Sequence, residues 1–324
     1  MSTNLQRETR SADQTDSARR RPLDVNRLIA QSFRIYWRRW RLHLAAAVIA
    51  QLPGLVPTLV LISLLLDSTL GLLQTRSAEA LTPALGLSVA LLLVSFFSAF
   101  LFVLMTAAAC QMVADWLDGE PVLLLRAYGT ALRLFWRLAG AMLLAGLLVV
   151  LGLAAIAAFL ALFYLGFLVI LQIDLAGDPR FYWFMLALTG LASIVACAVL
   201  TDALVKWAVF VQAVIVEGRG PAEALYRSAE LVRGNWWRTA GAMALLLLVP
   251  LLLMSILSSL SYGLLAPLVT RGMLPERLVN SMGIAVAQVV FSPVPAIGVT
   301  VLFYHLRDGA SIWSRIDARL RGGA

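Results

Sequence analysis

The sequence contains little charge and few of the side chains that usually carry chemistry. Charged residues make up 14% of the 324 residues, with only two histidines and two cysteines, whereas soluble domains contain about 25% charged residues. Hydrophobic residues reach 61% and the mean hydropathy is +0.86. This composition excludes a disordered chain, a collagen-like chain and a disulfide scaffold. Because too little polar surface is present to cover a water-soluble globule, we expect an integral membrane protein.

The few reactive side chains show no arrangement that would support catalysis. Cys110 and Cys197 both lie inside apolar runs, where cysteine usually serves as a small core residue. His43 and His305 have no partner at metal-ligand spacing. The sequence also contains no glycine-rich phosphate loop and no serine with a suitably spaced base. We therefore expect no enzyme activity, no metal site and no cofactor.

Long uncharged stretches predict the architecture. They cover residues 42–66, 80–114, 138–173, 181–201, 239–270 and 278–306. Each reaches the ~20 residues that a helix needs to cross the hydrocarbon core of a bilayer, whereas a barrel would show alternating segments of about ten residues. We predict an all-α integral membrane protein with six transmembrane helices. The stretch 138–173 is long enough for one helix or for a tight hairpin, which would change the number of spans.

The distribution of arginine predicts the orientation of these spans. Ten of the 25 arginines precede residue 42, and most others lie in the loops after the second and fourth spans or near the C-terminus. The opposite side carries only Arg76, Arg180, Arg271 and Arg277. By the positive-inside rule, both chain termini lie in the cytoplasm. The basic charge follows the membrane boundary, which favours contact with anionic lipids over binding of nucleic acid.

An internal repeat divides the predicted membrane domain, residues 25–307. Residues 135–142, FWRLAGAM, match residues 236–243, WWRTAGAM, and Trp40-Arg41 occupies the corresponding place in a weaker first copy. The predicted unit is an interfacial amphipathic helix followed by two spans. Its three copies cover about residues 25–115, 121–216 and 221–307. We expect residues 1–24 to be a disordered cytoplasmic tail and residues 308–324 to be a second cytoplasmic tail.

The segment before each first span carries aromatic rings and arginines that suit the membrane surface. In the first copy, apolar residues from Val25 to Trp40 recur at helical spacing, with arginines largely on the opposite side. Aromatic rings favour the headgroup depth, and arginine favours anionic lipid. These helices either surround the bundle as a collar or bind lipid or a partner. The candidate face comprises Arg34, Trp37, Arg38, Trp40, Arg41, Trp136, Trp236 and Trp237.

One pair of charges lies inside a predicted span. Asp202 and Lys206 are four residues apart and therefore share one face of the fourth helix. Ionisable groups at membrane depth usually face a bundle interior or a water-filled path. The pair either neutralises itself or forms a coupling or proton site; alternatively, Lys206 reaches the interface while Asp202 binds a neighbouring helix. The other residues of this candidate intramembrane polar site are Gln111, Gln212 and His305.

Prolines interrupt the predicted first, fifth and sixth spans. Pro53 and Pro57 lie in the first span, Pro250 and Pro267 lie in the fifth, and the segment FSPVPAIG at 291–298 is the most strongly interrupted. Many transporters form substrate sites near the bilayer midplane from broken helices at corresponding positions of a repeat. Proline kinks are also common in membrane helices without such a site, so the pattern supports transport only as an alternative function.

Three segments resemble one known family. They are residues 217–248, EGRGPAEALYRSAELVRGNWWRTAGAMALLLL, residues 301–307, VLFYHLR, and the opening DVNRLIAQSFRIYWRRW. Together they resemble the glycerophosphoryl diester phosphodiesterase membrane-domain family over about residues 22–310. The resemblance implies a bacterial inner-membrane protein. His305 stands where that family usually has aspartate, and we expect no phosphodiesterase activity because the chain offers no metal ligands and only 17 residues follow Arg307.

These patterns predict a non-catalytic integral membrane protein of the bacterial inner membrane. Its expected role is that of a scaffold or accessory subunit, in contact with anionic lipids and with a membrane or cytoplasmic protein partner. The alternative is a transporter or lipid-handling permease that uses the Asp202/Lys206 site.

Overall fold

The computed structural model describes residues 24–75, 81–171, 179–271 and 276–322, and within these ranges the chain is helical and contains no strand. In chain order the helices are α1 (Val25–Arg38), α2 (Trp40–Thr75), α3 (Leu81–Asp118), α4 (Leu124–Arg133), α5 (Phe135–Leu171), α6 (Pro179–Lys206), α7 (Phe210–Glu217), α8 (Pro221–Arg233), α9 (Trp236–Thr270), α10 (Glu276–Phe291), α11 (Pro293–Asp308) and α12 (Ser311–Gly322).

Five helical stretches in the described ranges are long and apolar enough to cross a membrane, so by length and composition the chain is a multi-pass membrane protein. These stretches coincide with five of the six predicted spans, and the remaining prediction, residues 42–66, falls in α2. Helix α5 runs from Phe135 to Leu171 as a single helix, so it contains no tight hairpin. The stretches are Leu85–Asp118, Phe135–Leu162, Leu186–Glu217, Trp236–Thr270 and Met282–Asp308.

Burial divides the molecule into a packed region and an exposed apolar region. The packed core is formed mainly by α1, the second half of α3, α7, α11 and α12, and it includes the fully buried Leu28, Met105 and Phe303. Large apolar side chains on α5, α6 and α9 remain exposed, such as Leu162 and Leu264. Exposed apolar surface on long helices is what contact with lipid requires.

A side chain from α8 stabilises the break between α6 and α7. The Ser228 hydroxyl donates a hydrogen bond to the Lys206 carbonyl oxygen at 2.7 Å and accepts one from the Val209 N–H at 3.2 Å. Backbone polar groups that lose a helical partner in apolar surroundings need another partner. Ser228 is fully buried and supplies that partner to both sides of the break.

The last candidate span divides at Ser292, inside the segment FSPVPAIG. The prolines that follow lack a backbone N–H, so carbonyl groups before the break lose helical partners. The Tyr36 hydroxyl of α1 donates to the Val290 carbonyl at 2.8 Å. The Gln51 amide of α2 donates to the Ser292 hydroxyl and to the sulfur of Met105 at 3.3 Å. Side chains from two other helices therefore bond to this break, Tyr36 at one main-chain carbonyl and Gln51 at the Ser292 side chain.

The prolines of the other predicted spans do not divide their helices. Helix α2 continues through Pro53 and Pro57, and α9 continues through Pro250 and Pro267. A proline removes one helical hydrogen bond, and the bonds on either side of it can carry the helix past that point. The interruptions expected at these positions are therefore not breaks.

The C-terminal segment forms a helix that packs on the core. Residues 308–324 were expected to be a tail, and the structure shows α12 over most of this segment, with Ile312, Trp313 and Ile316 buried. Asp317 accepts hydrogen bonds from the guanidinium of Arg27 at 2.7 Å and the amide of Gln31 at 2.9 Å. The ends of the described chain therefore meet on one side of the molecule.

Helices α1, α4 and α8 are called the short helices below. Each of them donates a side-chain hydroxyl to a main-chain carbonyl of a longer helix. Besides Tyr36 and Ser228, the Tyr128 hydroxyl of α4 donates to the Ala46 carbonyl of α2 at 2.6 Å. Helix α1 packs against α9 and α11, α4 packs against α3, and α8 packs against α5, α6 and α7. The short helices therefore belong to the packed core.

We expect Tyr36→Phe and Tyr128→Phe each to lower the free energy of unfolding by about 1–2 kcal/mol. Each change leaves a carbonyl oxygen without its hydroxyl donor at nearly constant side-chain volume. The matched control is Tyr226→Phe, because the Tyr226 ring is exposed. Denaturant unfolding of the purified protein in detergent measures the difference. Equal stability of all three variants and the wild type would show that these hydroxyl bonds do not contribute.

Candidate functional site

Asp202 and Lys206 form an ion pair on the surface of the helix bundle. The ammonium of Lys206 lies 2.6 Å from a carboxylate oxygen of Asp202, one turn earlier on α6. The indole N–H of Trp236, the first residue of α9, donates to the other carboxylate oxygen at 3.1 Å. The Lys206 and Asp202 side chains are 48% and 44% exposed. The pair thus lies on an open helix face and is not enclosed by the bundle.

The structure places the other three predicted polar residues in separate contacts. The Gln111 amide donates to Asp115 at 2.7 Å, and the fully buried Gln212 amide donates to Thr300 at 3.4 Å. The His305 ring packs on the Trp313 ring with centroids 5.4 Å apart. No hydrogen bond or ion pair in the described ranges joins these residues to Asp202 or Lys206. The structure therefore brings together only the charged pair.

Three buried polar residues lie outside the predicted polar site. Gln51 joins α2 to the break at Ser292, and Asp115 is buried near the end of α3 with only one carboxylate oxygen hydrogen-bonded. His43 is also buried, and its Nδ1 has no partner in the described ranges. In the sequence, Gln51 and His43 are isolated polar residues in an apolar run, and Asp115 follows one directly. An isolated polar residue in or beside an apolar run indicates a buried polar contact, but it does not reveal which helix the residue contacts.

The predicted tryptophan face is largely exposed. Trp37 is 60% exposed, Trp136 81% and Trp237 82%. Each contacts the aromatic ring of the preceding residue in an edge-to-face arrangement, with centroids 5.5, 4.8 and 4.6 Å apart. Trp236 is half-buried because it packs toward Asp202, and Trp40 is exposed. One ring of each pair thus packs on the protein while the next projects outward, at the end of α1 for Trp37 and at the start of a long helix for Trp136 and Trp237.

The arginines of this face are exposed as well. Arg34, Arg38 and Arg41 lie on the surface of α1 and at the start of α2. The Arg41 guanidinium lies over the Trp40 ring, 5.6 Å from its centroid. This stacking leaves the cation at the surface while the ring covers its apolar side. The arrangement combines exposed aromatic area with positive charge, which suits a lipid surface or a protein partner.

A charged cluster joins the end of α7 to α8. Arg227 donates to Glu217 at 3.2 Å and to Glu230 at 2.8 Å. The hydrogen bond to Glu230 is the main cause that raises the pKa of Arg227 above its usual value, partly opposed by burial of the guanidinium. The cation therefore stays charged and holds α8 beside the break that Ser228 stabilises.

We expect the double variant Asp202→Asn with Lys206→Met to change the free energy of unfolding by less than about 0.5 kcal/mol. Replacing both partners of an ion pair together leaves no unpaired charge and is often nearly neutral for stability, and asparagine retains an oxygen that accepts from the Trp236 indole. Denaturant unfolding of the wild type and the double variant tests this. A loss above about 2 kcal/mol would contradict the exposed placement of the pair.

The comparisons with known proteins show which family the chain belongs to. A family model described as a domain of unknown function, DUF7847, matches residues 42–306. Neither the comparison with curated proteins nor the comparison with solved structures finds a match. Because the match covers far more than half of the 324 residues, the chain belongs to the family of domain DUF7847.

Proposed function

We propose that the protein is a non-catalytic scaffold or accessory subunit of the bacterial inner membrane. The observation that carries this proposal is the exposed aromatic and arginine surface at the start of the long helices α2, α5 and α9. The polar residues that a transport or catalytic site would need are dispersed instead. Gln212 and His305 are buried in separate packing contacts, and the charges of Asp202 and Lys206 neutralise each other.

We further propose six spans with both chain termini in the cytoplasm. Five spans are the apolar stretches described above, and α2 adds the sixth because residues 42–66 carry no charge. The arginine distribution supports this orientation. With six spans, α1, α4, α8 and α12 all lie on the cytoplasmic side. That agrees with the packing of α12 against α1 through Asp317 and Arg27.

The packing of the short helices supports three repeats arranged as a closed ring. Helix α4 packs on α3 and bonds α2, and α8 packs on α5, α6 and α7. Each of these short helices thus rests on the two spans that precede it in the sequence. Helix α1 has no preceding spans in the described chain and rests on the last ones, α9 and α11, with its Tyr36 bonded to α10. The third repeat thereby closes onto the first.

The proposed partner surface combines an anionic lipid contact with a protein contact. Arginines near anionic lipid each contribute on the order of 1 kcal/mol of binding, and exposed tryptophans suit the headgroup depth. Tryptophan and arginine are also the side chains most enriched among residues that dominate protein interfaces. No nucleic acid partner is proposed.

The alternative function is a transporter or lipid-handling permease that uses Asp202 and Lys206. One observation favours it: Trp236 binds Asp202, so the charged pair couples α6 to the start of α9. The resemblance to the glycerophosphoryl diester phosphodiesterase membrane-domain family remains a prediction. It would extend to the membrane part only, and we propose no phosphodiesterase activity.

Cysteine accessibility tests the proposed topology. In a background with Cys110 and Cys197 replaced by alanine, Ala30→Cys on α1 and Ser314→Cys on α12 should react with a membrane-impermeant maleimide only in inside-out vesicles. Arg271→Cys, in the connection after α9, should react only in intact cells. The positive-inside distribution is the physical reason. Labelling of Ala30→Cys and Ser314→Cys from opposite sides would show an odd number of spans.

Co-purification tests the scaffold role. Extraction in a lipid-preserving polymer followed by mass spectrometry should reveal a stoichiometric protein partner. Trp37→Ala or Trp237→Ala should reduce its recovery about tenfold or more, as for central interface tryptophans. Trp183→Ala, at the start of α6 and therefore on the opposite side in the proposed topology, is the matched control.

A preparation free of protein but with a retained solute or lipid would instead favour the permease. Flux in proteoliposomes that is lost in Asp202→Asn would then replace the scaffold proposal. Flux that is unaffected by Asp202→Asn would exclude the charged pair as the transport site.

A further inference from the structure

A cleft with excess positive charge lies where α1, the end of α3 and α12 meet. Its volume is about 210 Å³, and Arg38, Arg39 and Arg319 contribute to its lining. Glu120 is the only carboxylate among the lining residues in the described ranges, and it pairs with Arg126 at 3.4 Å. None of the three arginines forms an ion pair with a carboxylate of the described residues.

Two of these arginines are held in place by neutral backbone groups. Arg38 donates to the Leu320 carbonyl at 2.5 Å, in the last turn of α12, and Arg319 donates to the Leu117 carbonyl at 3.4 Å, near the end of α3. Each bond uses one of the five N–H donors of a guanidinium group. Since a carbonyl does not neutralise the cation, both side chains are positioned while their charge remains.

Gly119 leaves room for the Arg319 guanidinium. The backbone of Gly119 has a φ of +84°, and a Cβ atom built there would overlap the Arg319 guanidinium. Glycine adopts this conformation at little cost and leaves the space free. Any other residue would strain the backbone and displace the guanidinium from the cleft wall.

Arg39 is the third arginine of the cleft lining. Arg39, in the turn between α1 and α2, makes no ion pair with a residue of the described ranges. Arg39 is exposed, so its charge is available to a molecule from outside the chain.

We propose that the cleft of Arg38, Arg39 and Arg319 binds a phosphate group. Guanidinium groups bind phosphate through paired, charge-assisted hydrogen bonds. The volume is below the about 300 Å³ at which pockets for whole small molecules begin, which fits one phosphate group and not a nucleotide.

The bound phosphate group belongs either to the headgroup of an anionic phospholipid or to soluble phosphate. Trp37 and Trp40 are exposed on the same stretch of chain as Arg38 and Arg39, and this places the cleft at headgroup depth. The lipid source rests on the proposed function, because it requires the topology given above. The phosphate chemistry itself does not, because it follows from the lining residues alone.

The test uses full-length protein in a neutral detergent, titrated with dioctanoyl phosphatidylglycerol, dioctanoyl phosphatidylcholine or inorganic phosphate, with bound species counted by native mass spectrometry. We expect saturable binding of one phosphatidylglycerol. Arg39→Gln and Arg319→Gln should each weaken it about tenfold, the usual effect of removing a hydrogen bond to a charged group. Arg133→Gln, which removes an exposed arginine from α4, should change the affinity less than twofold.

Gly119→Ala separates a built site from general charge attraction, because it displaces Arg319 and keeps every arginine. We expect it to weaken binding as much as Arg319→Gln, with thermal unfolding confirming a folded variant. Inorganic phosphate that competes with phosphatidylglycerol and binds as tightly would identify the soluble source and support the proposal. Equal loss in Arg133→Gln, wild-type affinity in folded Gly119→Ala, or no saturable binding would overturn it. None of these binding measurements depends on a co-purified partner. Failure of the phosphate-binding proposal can therefore be distinguished from failure of the proposed scaffold role.

Discussion

The structure depends on one constraint: backbone polar groups in apolar surroundings must find partners within the protein. Two of the candidate spans are broken, at residues 207–209 and at Ser292, and each break leaves polar groups without helical partners. Ser228 bonds to both sides of the first break, and at the second Tyr36 donates to the Val290 carbonyl while Gln51 donates to the Ser292 hydroxyl. Because these side chains come from other helices, the breaks and the helix packing can form only together.

This dependence explains why the short helices lie in the packed core. Leu28 of α1 and Ala224 of α8 are completely buried, while Trp37 and Trp237 near the ends of these helices are exposed. One face of each short helix therefore contacts protein, and its end presents rings and arginines outward. In the proposed ring of repeats, the same short helix both closes the breaks of the neighbouring spans and forms the surface available to lipid or a partner.

The charged residues likewise divide into those that pair within the protein and those whose charge remains available for binding. Asp202 and Lys206 neutralise each other on an exposed face, and Arg227 with its two glutamates fixes α8 beside α7. Arg38 and Arg319, in contrast, donate to neutral carbonyl oxygens and form no ion pair with the described residues, so their charge stays available. A binding function therefore fits the arginine cleft better than the Asp202/Lys206 pair, although the pair is the more conspicuous feature of the sequence.

The sequence by itself determined the membrane class, the helical secondary structure and the positions of most candidate spans, because these follow from local hydropathy and length. It also located the break in FSPVPAIG, since Pro293 and Pro295 lack the N–H of an uninterrupted helix. Only the tertiary structure decided that α12 packs on α1, that Asp202 binds Trp236 and that Gln111, Gln212 and His305 lie apart from it. The arginine cleft likewise joins residues 38–39 to residue 319. Such contacts depend on which helices pack against each other. Hydropathy does not predict that choice, because every apolar helix face is equally stable in contact with lipid.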